Sequence, residues 1–98
     1  MSRFVFVMYG YEEPTQEAMD AWQAWFGEIA GSVVDQGAPL GPGREVTPSG
    51  TADLPTGADA ATGYTVLEAE DIEAAVRLLE HCPITTSVRV YEAMQMQV

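Results

Sequence analysis

The sequence contains no lysine and only four arginines, against fifteen aspartates and glutamates, so its formal net charge is −11. Arg3, Arg44, Arg77 and Arg89 are spread along the chain and form no basic stripe. Nucleic-acid backbones and anionic membranes repel a protein of this charge. We therefore expect no nucleic-acid and no membrane partner, and we interpret the acidity as a source of solubility.

Cysteine and histidine are almost absent, with Cys82 and His81 as the single residue of each type. One cysteine excludes an internal disulfide and disfavours a secreted, oxidised protein. The two residues also supply too few soft ligands for a zinc site, and the sequence has no calcium-binding loop motif. We expect no metal, no cofactor and a cytoplasmic location.

Long apolar runs are missing as well. The run at residues 4–8 is shorter than the apolar segment of an export signal and far shorter than the roughly 20 residues that cross a bilayer. The 98 residues suit one domain, spanning 1–98, and their 47% hydrophobic content is typical of a globular protein. Neither export nor membrane insertion is therefore expected.

Apolar periodicity predicts secondary structure in the order β-α-β-β-α-β. Residues 4–9, which are β-branched or aromatic apart from Met8, predict the first strand. Thr15 is the predicted cap of the first helix, which we expect to end near Gln36 and Gly37. The apolar stripe of this helix consists of Met19, Trp22, Phe26, Ile29 and Val33.

The middle of the chain, residues 37–62, is rich in glycine and proline and predicts a loop that contains one strand at 39–46. A third strand is predicted at 64–68. Asp71 is the predicted cap of a second helix over 72–81. This part of the chain is therefore expected to contain two strands, at 39–46 and 64–68, followed by the second helix.

The last strand is predicted at 87–96, with Val88 and Val90 on its buried face. The complete order is that of an α+β, ferredoxin-like fold, in which a four-stranded antiparallel sheet carries both helices on one face. The other face of such a sheet is uncovered within one chain, and a second copy would bury it. We therefore expect a homodimer that forms through its sheet faces.

Several segments carry a family resemblance. They are FVFVMYG at 4–10, DQGA at 35–38, PLGP at 39–42, GYTVLEA at 63–69, AAV at 74–76 and CP at 82–83. Together they span most of the chain and resemble the YCII-related, or DGPF-domain, family. The resemblance implies a dimeric α+β barrel, a fold whose members include muconolactone isomerases, haem-type monooxygenases, cyclases and a dehydrochlorinase. The Asp-Gly-Pro-Phe segment of the family is replaced here by TGADAAT at 56–62.

The resemblance also implies a candidate acid–base residue. The YCII branch of the family places a His on helix one and an Asp near the end of that helix. Asp35 matches the Asp, whereas Trp25 or Phe26 occupies the His position, and neither ring can transfer a proton. The C-terminal end of a helix also disfavours a carboxylate that has no partner. Asp35 is therefore the first candidate for a catalytic residue and His81 the second, with a solvated Asp35 and a structural His81 as the alternatives.

Aromatic residues supply the candidate ligand-binding site, which comprises Tyr9, Trp22, Trp25, Tyr64 and, as a partner for a carboxylate, Arg89. Core packing is the simplest interpretation for most of the rings. Trp22 and Trp25 lie at different angles around the helix, so we expect one in the core and the other at a cleft. Two functions stay open: a lyase or isomerase acting on a small cyclic or aromatic organic molecule, and a noncatalytic small-ligand-binding or assembly module.

Overall fold

The computed structural model describes residues 1–95 as an α+β arrangement. Its elements are β1 (Ser2–Tyr9), α1 (Gln16–Ile29), β2 (Val33–Pro39), β3 (Arg44–Thr47), β4 (Gly50–Asp53), β5 (Ala61–Ala69), α2 (Ile72–Arg77) and β6 (Ser87–Ala93). Four strands form one antiparallel sheet in the order β2-β5-β1-β6, and β3 pairs with β4 in a separate hairpin. This arrangement is compatible with a ferredoxin-like fold.

The core lies between one face of the sheet and both helices. Alternate residues of β1 point into it, because successive side chains of a strand face opposite sides. Its buried members are Phe4, Phe6, Met8, Trp25, Ile29, Leu67, Ala69 and Ala75. Val88 and Val90 of β6 pack against this cluster, as their predicted orientation requires.

Both predicted helix caps are confirmed. The Thr15 hydroxyl accepts a hydrogen bond from the Ala18 N–H at 3.1 Å, and the Asp71 carboxylate accepts one from the Ala74 N–H at 2.8 Å. Each bond satisfies a backbone N–H that has no partner within the first helical turn. The predicted first and third strands are also confirmed, as β1 and β5.

The predicted end of the first helix is wrong. α1 ends at Ile29, a single 3₁₀ turn covers Ala30–Ser32, and β2 begins at Val33. Val33 continues the apolar spacing because it pairs with Leu67 in the sheet and packs against the same core. The spacing of buried residues thus continues through a change of secondary structure. Met19, the first residue of the predicted stripe, is half exposed.

Three other boundaries differ from the sequence predictions. The strand predicted at 39–46 is wrong, because β2 ends at Pro39 and the next strand belongs to the exposed β3–β4 hairpin. α2 ends at Arg77, earlier than the predicted helix over 72–81, and tighter turns replace it through Glu80. β6 ends at Ala93, and the end predicted at residue 96 lies outside the described residues.

The opposite face of the sheet has a central apolar row. Val5 is paired with Val66 on one side and with Tyr91 on the other. The two valines are half-buried, whereas Tyr91 is 53% exposed. This open face, defined by Val5, Val7, Val66 and Tyr91, therefore carries apolar groups that the core does not use. Among residues 1–95, neither helix has the length and apolar character needed to cross a membrane.

Candidate functional site

A cavity of about 440 Å³ opens where the end of β1 and the start of β5 meet α1 and β2. Trp22 and Phe26 line it from the helix, and Met8 and Thr65 line it from the sheet. Tyr11 and the loop after β1 complete one side. The volume falls in the range of roughly 300–1,000 Å³ that is usual for small-molecule sites. The cavity therefore has the size and the aromatic lining of a ligand pocket.

The two tryptophans of α1 have different surroundings. Trp25 is 1% exposed, stacks on Phe6 with a centroid separation of 6.3 Å and donates its indole N–H to the Leu78 carbonyl at 2.8 Å. Trp22 is only half-buried and meets Trp25 edge to face at 5.7 Å. Trp25 is therefore the core residue, and Trp22 is the one that reaches the cavity. The sequence predicts one core and one cleft tryptophan, but its apolar stripe contains Trp22, whereas the structure buries Trp25.

A bulge in β2 shapes the edge of the cavity. The pairing of β2 with β5 shifts between Asp35 and Ala38, and Gly37 has a φ of +75°. A Cβ on Gly37 would also collide with the Tyr64 carbonyl oxygen, so this position requires glycine for two independent reasons. The Asp35 carboxylate accepts a hydrogen bond from the Gly37 N–H at 2.9 Å and so holds the turn.

Asp35, the first candidate catalytic residue, does not line the cavity. It is exposed on β2, and its bond to Gly37 gives the carboxylate a structural partner. The premise that Asp35 lies at a helix end is wrong, because α1 ends at Ile29. Its neighbours Gln36 and Gly37 do line the cavity.

His81, the second candidate, lies outside the cavity and joins the turn after α2 to α1. Its Nδ1 is 2.8 Å from the Glu28 carboxylate. This hydrogen bond is the main cause that raises the pKa of His81, and the negative charges of Glu28 and Glu80 add to it. This contact joins the turn after α2 to α1 and agrees with the structural interpretation of His81.

The other predicted ligand residues do not form one group. Tyr64 lines the cavity together with Trp22. Tyr9 and Arg89 form a separate pair, in which the guanidinium carbon lies 4.3 Å from the ring centroid. Neither of them lines the cavity, and their contact is a cation–π interaction. The predicted set therefore contains two cavity residues, Trp22 and Tyr64, one core residue, Trp25, and this separate pair.

The polar groups of the cavity were not predicted from the sequence. Thr62 donates its hydroxyl proton to the Gly10 carbonyl at 3.0 Å, and Thr65 donates its own to the Gln36 carbonyl at 3.0 Å. Because a hydroxyl has one proton, the Thr62 oxygen can only accept a further hydrogen bond, whereas Thr65 is fully buried. Glu12 is the single charged residue in the described lining of the cavity. Its place two residues after Gly10, at the end of β1, is the sequence signal that could have identified it.

Cys82 lacks the properties of a nucleophile. Burial raises the pKa of its thiol to about 12, because a half-buried site disfavours the thiolate. Within the part of the chain that the structure describes, no group of three or more His, Cys, Asp or Glu side chains could hold a metal ion.

No protein-family model matches the chain, and no similar protein was found among the curated proteins. The YCII-related assignment therefore depends on the sequence segments alone and stays a prediction.

Proposed function

We propose that the protein is a noncatalytic binding module for a small, largely apolar organic molecule, which occupies the cavity beside α1. The observation that carries the proposal is a cavity of about 440 Å³ lined by Trp22 and Phe26, whose ring centroids are 6.1 Å apart. Aromatic rings bind apolar ligands by excluding water from large flat surfaces. Asp35 and His81, the two candidate catalytic residues, lie outside this lining.

The proposed assembly is a homodimer of ferredoxin-like, YCII-like domains that forms a dimeric α+β barrel. The open face supports it, because Val5, Val7 and Val66 form an apolar centre with Tyr91 beside it. Charged side chains flank this centre, with Arg3 and Glu68 3.9 Å apart at one end and Arg89 paired with Val7. An apolar centre within a polar rim is the usual composition of a protein interface.

A lyase or isomerase acting on a cyclic or aromatic molecule is the second candidate. It is supported by Glu12, which is one of the lining residues and carries the type of group that removes a proton from a bound substrate. In that case Glu12, rather than Asp35, is the general base.

Fluorescence titration with the uncharged apolar dye N-phenyl-1-naphthylamine tests the binding proposal. The dye brightens when it enters an apolar site, and we expect saturable binding to the wild type. Trp22→Ala removes a lining ring and should weaken binding by roughly 10-fold or more. Met19→Ala is the matched control, because Met19 lies on the same helix but does not line the cavity.

Equal binding by the wild type and both variants would contradict the proposal, and so would the absence of saturable binding. Turnover of a bound cyclic compound that Glu12→Gln abolishes would favour the second candidate instead.

A further inference from the structure

The charge of the cavity restricts the ligand beyond its apolar character. Glu12 is the only charged residue among the lining residues that the structure describes. None of the four arginines lines the cavity, and three of them have contacts elsewhere: Arg3 with Glu68, Arg44 with Asp53, and Arg89 with Tyr9. An anionic ligand would therefore meet the Glu12 carboxylate with no opposite charge from the described lining. The net charge of −11 adds long-range repulsion.

Two groups at the cavity can accept a hydrogen bond from a ligand. The Thr62 hydroxyl has given its proton to the Gly10 carbonyl. The Gly37 N–H is bonded to Asp35, and the Gly10 N–H donates to the Ala60 carbonyl at 2.9 Å. The Thr62 hydroxyl oxygen is left as an acceptor, and the Glu12 carboxylate is a further one.

The aromatic lining is suited to the same ligand. The rings of Trp22 and Phe26 are inclined by 34° to each other, and Tyr11 lines the cavity beside Glu12. The faces of such rings attract cations, most strongly for tryptophan, and the attraction increases when the cation leaves water. The cavity is thus lined by an acidic residue, a hydrogen-bond acceptor and aromatic rings.

We propose that this cavity selects an organic cation: a protonated amine joined to an apolar or aromatic body, with Glu12 as its counter-charge. The ammonium lies toward Glu12 and donates to an acceptor oxygen, while the body fills the space beside Trp22 and Phe26. This inference rests on the proposed binding function and adds the chemical class of the ligand. It excludes carboxylates and phosphate esters as ligands of the same site.

Three probes of similar size and different charge test the inference by displacement of N-phenyl-1-naphthylamine at low salt. N,N-dimethylbenzylamine is protonated at neutral pH, isobutylbenzene is its uncharged carbon counterpart, and phenylacetate is an anion. We expect the wild type to bind the amine roughly 10-fold or more tightly than isobutylbenzene, and phenylacetate most weakly.

Glu12→Gln should reduce the preference for the amine over isobutylbenzene to a few-fold or less, while binding of isobutylbenzene stays unchanged. Glu13→Gln is the matched control. It also removes one negative charge, but from the neighbouring residue Glu13, which does not line the cavity. Both residues are exposed, so we expect both variants to fold, and circular dichroism checks this.

The outcomes separate this inference from the binding proposal. If the dye binds and Trp22→Ala weakens it, but the amine and isobutylbenzene bind equally, the cation inference is overturned and the binding proposal stands. Loss of the amine preference in Glu13→Gln to the same extent as in Glu12→Gln also overturns it. If neither the dye nor any probe binds, both proposals are overturned.

Discussion

The two faces of the four-stranded sheet are made by alternate residues of the same strands, yet they have different surroundings. Phe4 and Phe6 of β1 are at most 1% exposed beneath the helices, whereas Val5 and Val7 between them are half-buried on the open face. A shift of one residue in register would exchange the two sets. The comparison teaches that one strand contributes to the core with one face and leaves its other face partly exposed.

Removing the central ring of the covered face should have the largest effect. Trp25→Ala deletes a buried indole and leaves the Leu78 carbonyl without its donor, so we expect a loss of about 3–5 kcal/mol in the free energy of unfolding. Urea denaturation measures this loss. Trp22→Ala is the control on the same helix and should cost clearly less, because Trp22 is only half-buried. Equal losses would remove the distinction between core and cavity tryptophans.

A charge on the open face should separate the proposed dimer without unfolding the chain. Light scattering of the wild type should give twice the chain mass of 10.6 kDa, and Tyr91→Glu should reduce this to the mass of one chain, because an unpaired charge in an interface is costly. Val46→Glu is the control, since Val46 is 76% exposed on the β3–β4 hairpin. A wild type that stays monomeric at high concentration would contradict the assembly.

The contact of His81 with α1 should have the smallest effect, and one that depends on pH. The pKa of His81 is raised above 6.5 in the folded protein, so its pairing with Glu28 stabilises the fold below that pH and is lost as pH rises through the folded-state pKa. Glu28→Gln should therefore lower the melting temperature at about pH 5.5 but have little effect at about pH 9. Glu17→Gln serves as the control. An equal effect at both pH values would contradict the ion pair.

Local chemistry made several parts of the fold predictable from the sequence. β1 and β5 have runs of β-branched and aromatic residues, and Thr15 and Asp71 each act within three residues of their own position. The end of α1 was not predictable in this way. Val33 satisfies the helical spacing equally well from a strand, because the same core receives both elements.

The candidate site was less predictable, because it depends on contacts between distant segments. The edge of the cavity requires the bulge at Gly37, which forms only when β2 pairs with β5. Glu12 reaches the cavity because the loop after β1 passes beside α1. The sequence favours Asp35 because it matches the Asp of the YCII branch and is expected at a helix end, where the structure has a strand.

The most direct test of ligand binding in the cavity compares the two tryptophans within one experiment. Nuclear magnetic resonance of the ¹⁵N-labelled protein reports each indole N–H separately, and Trp22→Phe assigns the two signals. On titration with 1-naphthol, an uncharged aromatic molecule, we predict a saturable shift of the Trp22 signal. The Trp25 signal should move much less, because its N–H is bonded to Leu78 in the core. A Trp22 signal that does not move, or a shift confined to Trp25, would contradict the assignment of the cavity as the binding site.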